Sequence, residues 1–87
     1  MLILTDIASL KREGDNFMFF DNISGSIYKL NELSYEILSL CDGKNTNEDI
    51  LLKITKEFDV TMQEAKKDFE TLIRALLDKK YIYDNEC

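Results

Sequence analysis

The sequence predicts an α+β domain in which a three-stranded antiparallel sheet comes first and three helices follow. Three observations carry this expectation. Between Ile7 and Leu30, short apolar runs are separated by turns that contain Gly14 and Gly25, the pattern of hairpins. From Glu32 onward the apolar residues recur instead at spacings of three and four, as on one face of a helix. Asn31, Thr46 and Thr61, whose side chains can accept from free helix amides, stand at the head of the three helical segments.

The first strand is assigned to Ile7–Arg12, and Glu13-Gly14-Asp15 turns it. Asn16–Asp21 is the strongest strand, Asn22–Gly25 the next turn, and Ser26–Leu30 the third strand. Connections this short join antiparallel neighbours and are too short for parallel crossovers. Phe17, Met18, Phe19 and Phe20 place apolar groups on both faces of the middle strand, whereas a sheet with one wet face alternates. The second face therefore calls for cover, from Met1–Leu4, a second copy of the chain or a partner protein.

Asn31 caps a helix expected from Glu32 to Cys41, with Leu33, Ile37, Leu38 and Leu40 on or near one face and Gly43 as its left-handed stop. Thr46 and Asp49 have the spacing of a capping box for the second helix, whose stripe is Ile50, Leu51, Ile54 and Phe58. Thr61 and Glu64 repeat that spacing for the third, expected over Met62–Lys79 with Ala65, Phe69, Leu72, Ile73, Leu76 and Leu77 facing the core. Tyr81-Ile82-Tyr83 is expected to fold back as an extended tail. Three strands and then three helices, the last two joined by a short turn, make a winged helix-turn-helix-like order.

The bulk composition narrows the function. A chain of 87 residues, 45% hydrophobic and 32% charged, suits a single domain over residues 1–87 with its core at about 7–83. A formal charge of -6 argues against nucleic acid and anionic membranes, which both reward clustered Lys and Arg. Met1–Leu4 is too short, and too soon followed by Asp6, to be a secretory signal, and no apolar run reaches the roughly 20 residues of a membrane helix. Cys41 and Cys87 give no disulfide framework, so a reducing cytoplasmic setting is expected, with Cys41 a small buried residue and Cys87 an exposed terminal thiol.

Catalytic chemistry finds few candidates. The chain has no histidine, which removes the commonest general base and transition-metal ligand. Two distant cysteines do not make a zinc knuckle, and three scattered glycines do not make a phosphate loop. Acidic pairs such as Glu48-Asp49 fall at helix starts, where the dipole explains them. The expectation is no enzyme, no catalytic residue, no metal and no cofactor.

Surfaces remain. The third strand lies last in the meander and presents unpaired backbone groups along one side; such an edge is either guarded, here by Lys29, or used to add an extended peptide by backbone pairing. Asp68, Leu72, Ala75 and Lys79 fall on one stripe of the third helix, either an ordinary core boundary or one wall of a groove.

The segment Leu30-Asn31-Glu32-Leu33-Ser34-Tyr35-Glu36-Ile37-Leu38-Ser39-Leu40-Cys41-Asp42-Gly43 resembles the signature of the PqqD family. Thr46 through Val60 and Ala65-Lys66-Lys67-Asp68-Phe69 continue the likeness, which covers roughly residues 16 to 83. The resemblance implies a RiPP recognition element, a peptide chaperone for ribosomally made, post-translationally modified peptides. Such proteins take the leader of a precursor peptide as an added strand between third strand and third helix, and present it to a modifying enzyme such as a radical SAM protein or a leader protease. By that resemblance the peptide-binding residues are Ile27, Tyr28, Lys29 and Leu30 on the strand and Asp68, Leu72, Ala75 and Lys79 on the helix, with Arg74 beside them.

The segment before residue 16 does not share the likeness, which leaves the register of the first strand open and allows a homodimer by exchange of Met1–Leu4. The alternative is a winged-helix DNA binder using Met62–Lys80. There Lys66, Lys67, Arg74, Lys79 and Lys80 are nearly balanced by Glu64, Asp68, Glu70 and Asp78, a poor phosphate-facing helix. A purely structural subunit is a third possibility.

Overall fold

In the computed structural model, which describes residues 1–85, the chain runs β1 (Leu2–Leu4), β2 (Ala8–Glu13), β3 (Asn16–Asp21), β4 (Ile27–Leu30), α1 (Glu32–Ser39), α2 (Asn47–Glu57), α3 (Met62–Asp78) and β5 (Ile82–Asp84). The α+β order of the sequence reading holds, with one addition at the termini. Cys87 lies outside the described residues.

β2, β3 and β4 form an antiparallel sheet in that order, so β4 is an edge strand. Ala8 pairs with Asp21 and Phe19 with Tyr28, which sets the register left open by the sequence. Since side chains alternate across a strand, Phe17 and Phe19 turn inward and are buried, while Met18 and Phe20 turn to the outer face and are half-buried.

Met1–Leu4 does not cover that outer face. β1 pairs antiparallel with β5, Leu2 opposite Asp84 and Leu4 opposite Ile82, as a separate two-stranded sheet. The physical reason is burial: Leu2 and Ile82 both enter the helical core, each 2% exposed. The N-terminal amine completes the pairing at 2.9 Å from Asp84 Oδ1.

Helix starts follow the caps. Asn31 Oδ1 accepts from the Ser34 amide at 2.7 Å. Thr46 Oγ1 accepts from the Asp49 amide at 3.1 Å while Asp49 Oδ2 accepts from the Thr46 amide at 3.0 Å, a complete capping box. Thr61 accepts from the Glu64 amide at 3.1 Å, but among the described residues Glu64 does not return the bond.

Two helix ends differ from expectation. α1 stops at Ser39 with Leu40 as a right-handed cap, so Gly43 does not close it. Gly43, at φ +80°, instead brings the loop under β1, where its amide donates to the Leu2 carbonyl at 3.0 Å. α3 ends at Asp78, one residue early, and Lys80 at φ +64° turns the chain so that the Tyr81 amide donates back to the Leu76 carbonyl at 3.0 Å. That turn sends Tyr81 into the interior.

Two apolar clusters result. Ile37, Ile50, Ile54, Phe69 and Ile73 join the helices, with Leu2 and Ile82 between them. Ala8, Phe19, Leu38 and Tyr81 join the sheet to α1 and the segment after α3. Cys41 belongs to the first, and its thiol donates to the Ile37 carbonyl at 3.3 Å; burial, with the Asp42 charge, pushes its pKa up to about 12. A thiol held protonated is a packing residue, as expected.

Candidate functional site

The second cluster forms the floor of a cleft beside the open edge. Phe19, Tyr28, Leu30, Leu38, Leu72, Ala75, Leu76, Lys79 and Tyr81 enclose about 180 Å³ between β4 and α3. Nearly all of its wall is apolar. The strand supplies Tyr28 and Leu30 because both share the inward face with Phe19 and Phe17, their cross-strand partners. The helix supplies Leu72, Ala75, Leu76 and Lys79 because spacings of three and four keep one face.

Aromatic rings fix the floor. Phe19 meets Tyr81 edge-on, centroids 4.9 Å apart at 72°, and lies 6.1 Å from Tyr28. Tyr81 donates to Asp21 Oδ2 at 2.8 Å. Asp21 Oδ1 meanwhile accepts from the Ile23 and Ser24 amides at 2.9 and 3.0 Å. The Ser24 amide first, then the Tyr81 hydroxyl and the Ile23 amide, lower the Asp21 pKa to about 2. The same bond to Asp21 holds the Tyr81 phenol up at about 12.

The direction in which the edge points its backbone groups follows from two bonds. The Asn22 amide donates to the Ile7 carbonyl at 2.8 Å, and the Asp21 amide to the Ser26 carbonyl at 2.9 Å. Bonded and non-bonded pairs alternate along an antiparallel ladder, so the odd-numbered residues of β3 bond to β4. Tyr28 and Leu30 thus spend their backbone groups on Phe19 and Phe17. The amides and carbonyls of Ile27 and Lys29 point to the open edge.

Of the residues singled out in the sequence, Tyr28, Leu30, Leu72, Ala75 and Lys79 come together in the cleft. Ile27 and Lys29 share its edge but turn their side chains to the outer face, opposite Phe20 and Met18. Asp68 is exposed on α3 and does not line the cleft. Arg74 does not line the cleft; it shares a neighbouring depression on α3 with Thr71, Ala75, Leu77 and Asp78, so Ala75 borders both. Phe19, Leu38, Leu76 and Tyr81 were not among the expected site residues; their signal in the sequence is that of core. The cross-strand place of Phe19 opposite Tyr28 was the available clue.

An antiparallel sheet with β4 at one edge, an apolar cleft beside that edge and α3 as the far wall define the class: an α+β domain with a groove between an edge strand and a helix. A family model matches residues 8–82, and this chain belongs to the family described as coenzyme PQQ synthesis protein D (PqqD). Two solved structures share the fold. One, described as TbiB1 in complex with the TbiA(beta) leader peptide, is 21% identical, covers 95% of this chain and 99% of its own, and has a TM-score of 0.78. The other, described as lasso peptide synthetase B1 complexed with the leader peptide, is 19% identical with the same TM-score, over 95% of this chain and 98% of its own. A search of curated protein sequences returns no match. Among the described residues no helix is long and apolar enough to cross a membrane.

Proposed function

We propose that this protein binds the leader segment of a ribosomally made precursor peptide and presents the rest of that peptide to a modifying enzyme, a radical SAM protein or a leader protease, without doing chemistry itself. The leader adds to β4 as a further strand. Ile27 and Lys29 offer it two amides and two carbonyls, and the cleft between β4 and α3 receives the side chains that fall opposite Tyr28 and Leu30. Backbone pairing gives affinity and the cleft gives selection. The single observation that carries this reading is the coincidence of an unpaired strand edge with an apolar cleft along it. Both structural neighbours are described with a leader peptide bound, which supports it.

The binding residues on this reading are Ile27, Tyr28, Lys29 and Leu30 on the strand and Leu72, Ala75 and Lys79 on the helix. Asp68 and Arg74 stand outside the cleft, and on this reading a leader reaches them only where it extends past the cleft. On this reading residues 1–87 act as one peptide-binding domain. The test is a search of the neighbouring reading frames for a short precursor peptide, followed by calorimetric titration with its synthetic leader. A micromolar complex, about -8 kcal/mol, is expected; no binding by a leader that its own modifying enzyme accepts contradicts the proposal.

A further inference from the structure

We infer that the open edge reads both faces of the bound strand, and that Lys29 selects an acidic residue on the outer one. This rests on strand addition at β4. Once a strand pairs there, period two allows no choice: residues over the cleft alternate with residues whose side chains stand beside Ile27 and Lys29 on the opposite face. That outer face has its own pattern. Ile27 is 59% exposed and faces Phe20 across the ladder, an apolar row. Lys29 faces Met18, and beyond Met18 stands Lys11.

The two cations differ. Lys11 holds Glu13 at 2.9 Å, whereas Lys29 has no carboxylate partner among the described residues. An exposed lysine on an edge strand ordinarily guards against pairing. Here it sits at one of the two residues whose backbone faces outward, where an opposite charge on the incoming strand stabilises pairing and a like charge opposes it. In a chain with net charge -6, such a site is the local exception that lets an acidic peptide dock. For an antiparallel leader the pattern, read from its N-terminal side, is apolar, acidic, apolar, apolar, opposite Leu30, Lys29, Tyr28 and Ile27. A parallel leader carries the reverse.

The test uses labelled strand peptides made in both chain directions, with Leu over the cleft, Val opposite Ile27, and Glu, Gln or Lys opposite Lys29. Wild-type protein is expected to bind the Glu peptide about fivefold more tightly than the Lys peptide at low salt. Lys29→Glu is expected to reverse that order, and high salt to flatten both. Equal binding of the three peptides, or a uniform gain for all three in Lys29→Ala, makes Lys29 a guard and overturns the inference while leaving strand addition standing. Binding of none of them removes strand addition itself, and the role of Lys29 with it.

Discussion

The hydroxyl of Tyr81 donates a 2.8 Å hydrogen bond to Oδ2 of Asp21, joining the segment after α3 to the end of β3. Because Tyr81 also meets Phe19 edge-on, this bond ties the floor of the cleft to the end of β3.

Its pH dependence has two arms. Asp21 is held at about 2 against an ordinary 3.8, so its contribution to stability is complete above 3.8 and is lost as pH falls toward 2. Tyr81 is raised to about 12 from 10.0, so its contribution is complete below 10.0 and is lost as pH rises through 12. Thermal unfolding followed across pH should show both declines in the wild type. The acid decline should be shallower in Asp21→Asn and the alkaline one shallower in Tyr81→Phe.

Ala75 is the smallest side chain lining the cleft, and it is exposed. Ala75→Trp is expected to fill the space without disturbing the core. Excluding one apolar leader side chain costs about 1.5–3 kcal/mol, a loss of roughly ten- to hundredfold in affinity. Leader titration beside a melting curve checks this; full affinity at wild-type stability places the peptide elsewhere.

Asn31 holds the junction between β4 and α1 through its bond to the Ser34 amide. Asn31→Ala should lower stability by about 1 kcal/mol, read from urea unfolding. Asn31→Asp should retain most of it, because the acceptor is kept.

Gly43 combines φ +80° with a site where a Cβ would stand 2.9 Å from Ile3 Cδ1. Gly43→Ala should cost about 1–3 kcal/mol and loosen β1 first, seen as faster amide exchange at Leu4. Ile3→Ala in the same chain relieves the steric part and leaves the backbone part, so rescue should be incomplete.

Much of this fold was legible locally. The strand Asn16–Asp21 and the three caps announce themselves within four residues, because turn and cap chemistry are short-range. The pairing of β1 with β5 was not legible: each is three residues long, and they meet across nearly the whole chain. Asp42-Gly43 reads as a helix stop, but α1 ends at its cap Leu40, whose carbonyl accepts from the Asn45 side-chain amide at 3.2 Å, and the glycine serves β1.

The candidate site divides in the same way. Tyr28, Leu30, Leu72, Ala75 and Lys79 follow from strand and helix periods once those two elements are set side by side. The floor does not, since Phe19, Leu38 and Tyr81 are all buried with the core and only the tertiary fold shows which part of the core faces the edge. The turn of Ile27 and Lys29 toward the outer face follows from period two once Tyr28 and Leu30 are known to face inward.

Amide hydrogen exchange at β4, with and without a bound leader, tests strand addition most directly. The amides of Ile27 and Lys29 point to the open edge, while those of Tyr28 and Leu30 are already engaged with β3. Saturation with leader peptide should therefore slow exchange most at Ile27 and Lys29, and much less at Tyr28 and Leu30. Saturating binding that leaves Ile27 and Lys29 exchanging as in the free protein would contradict the addition of a strand at this edge.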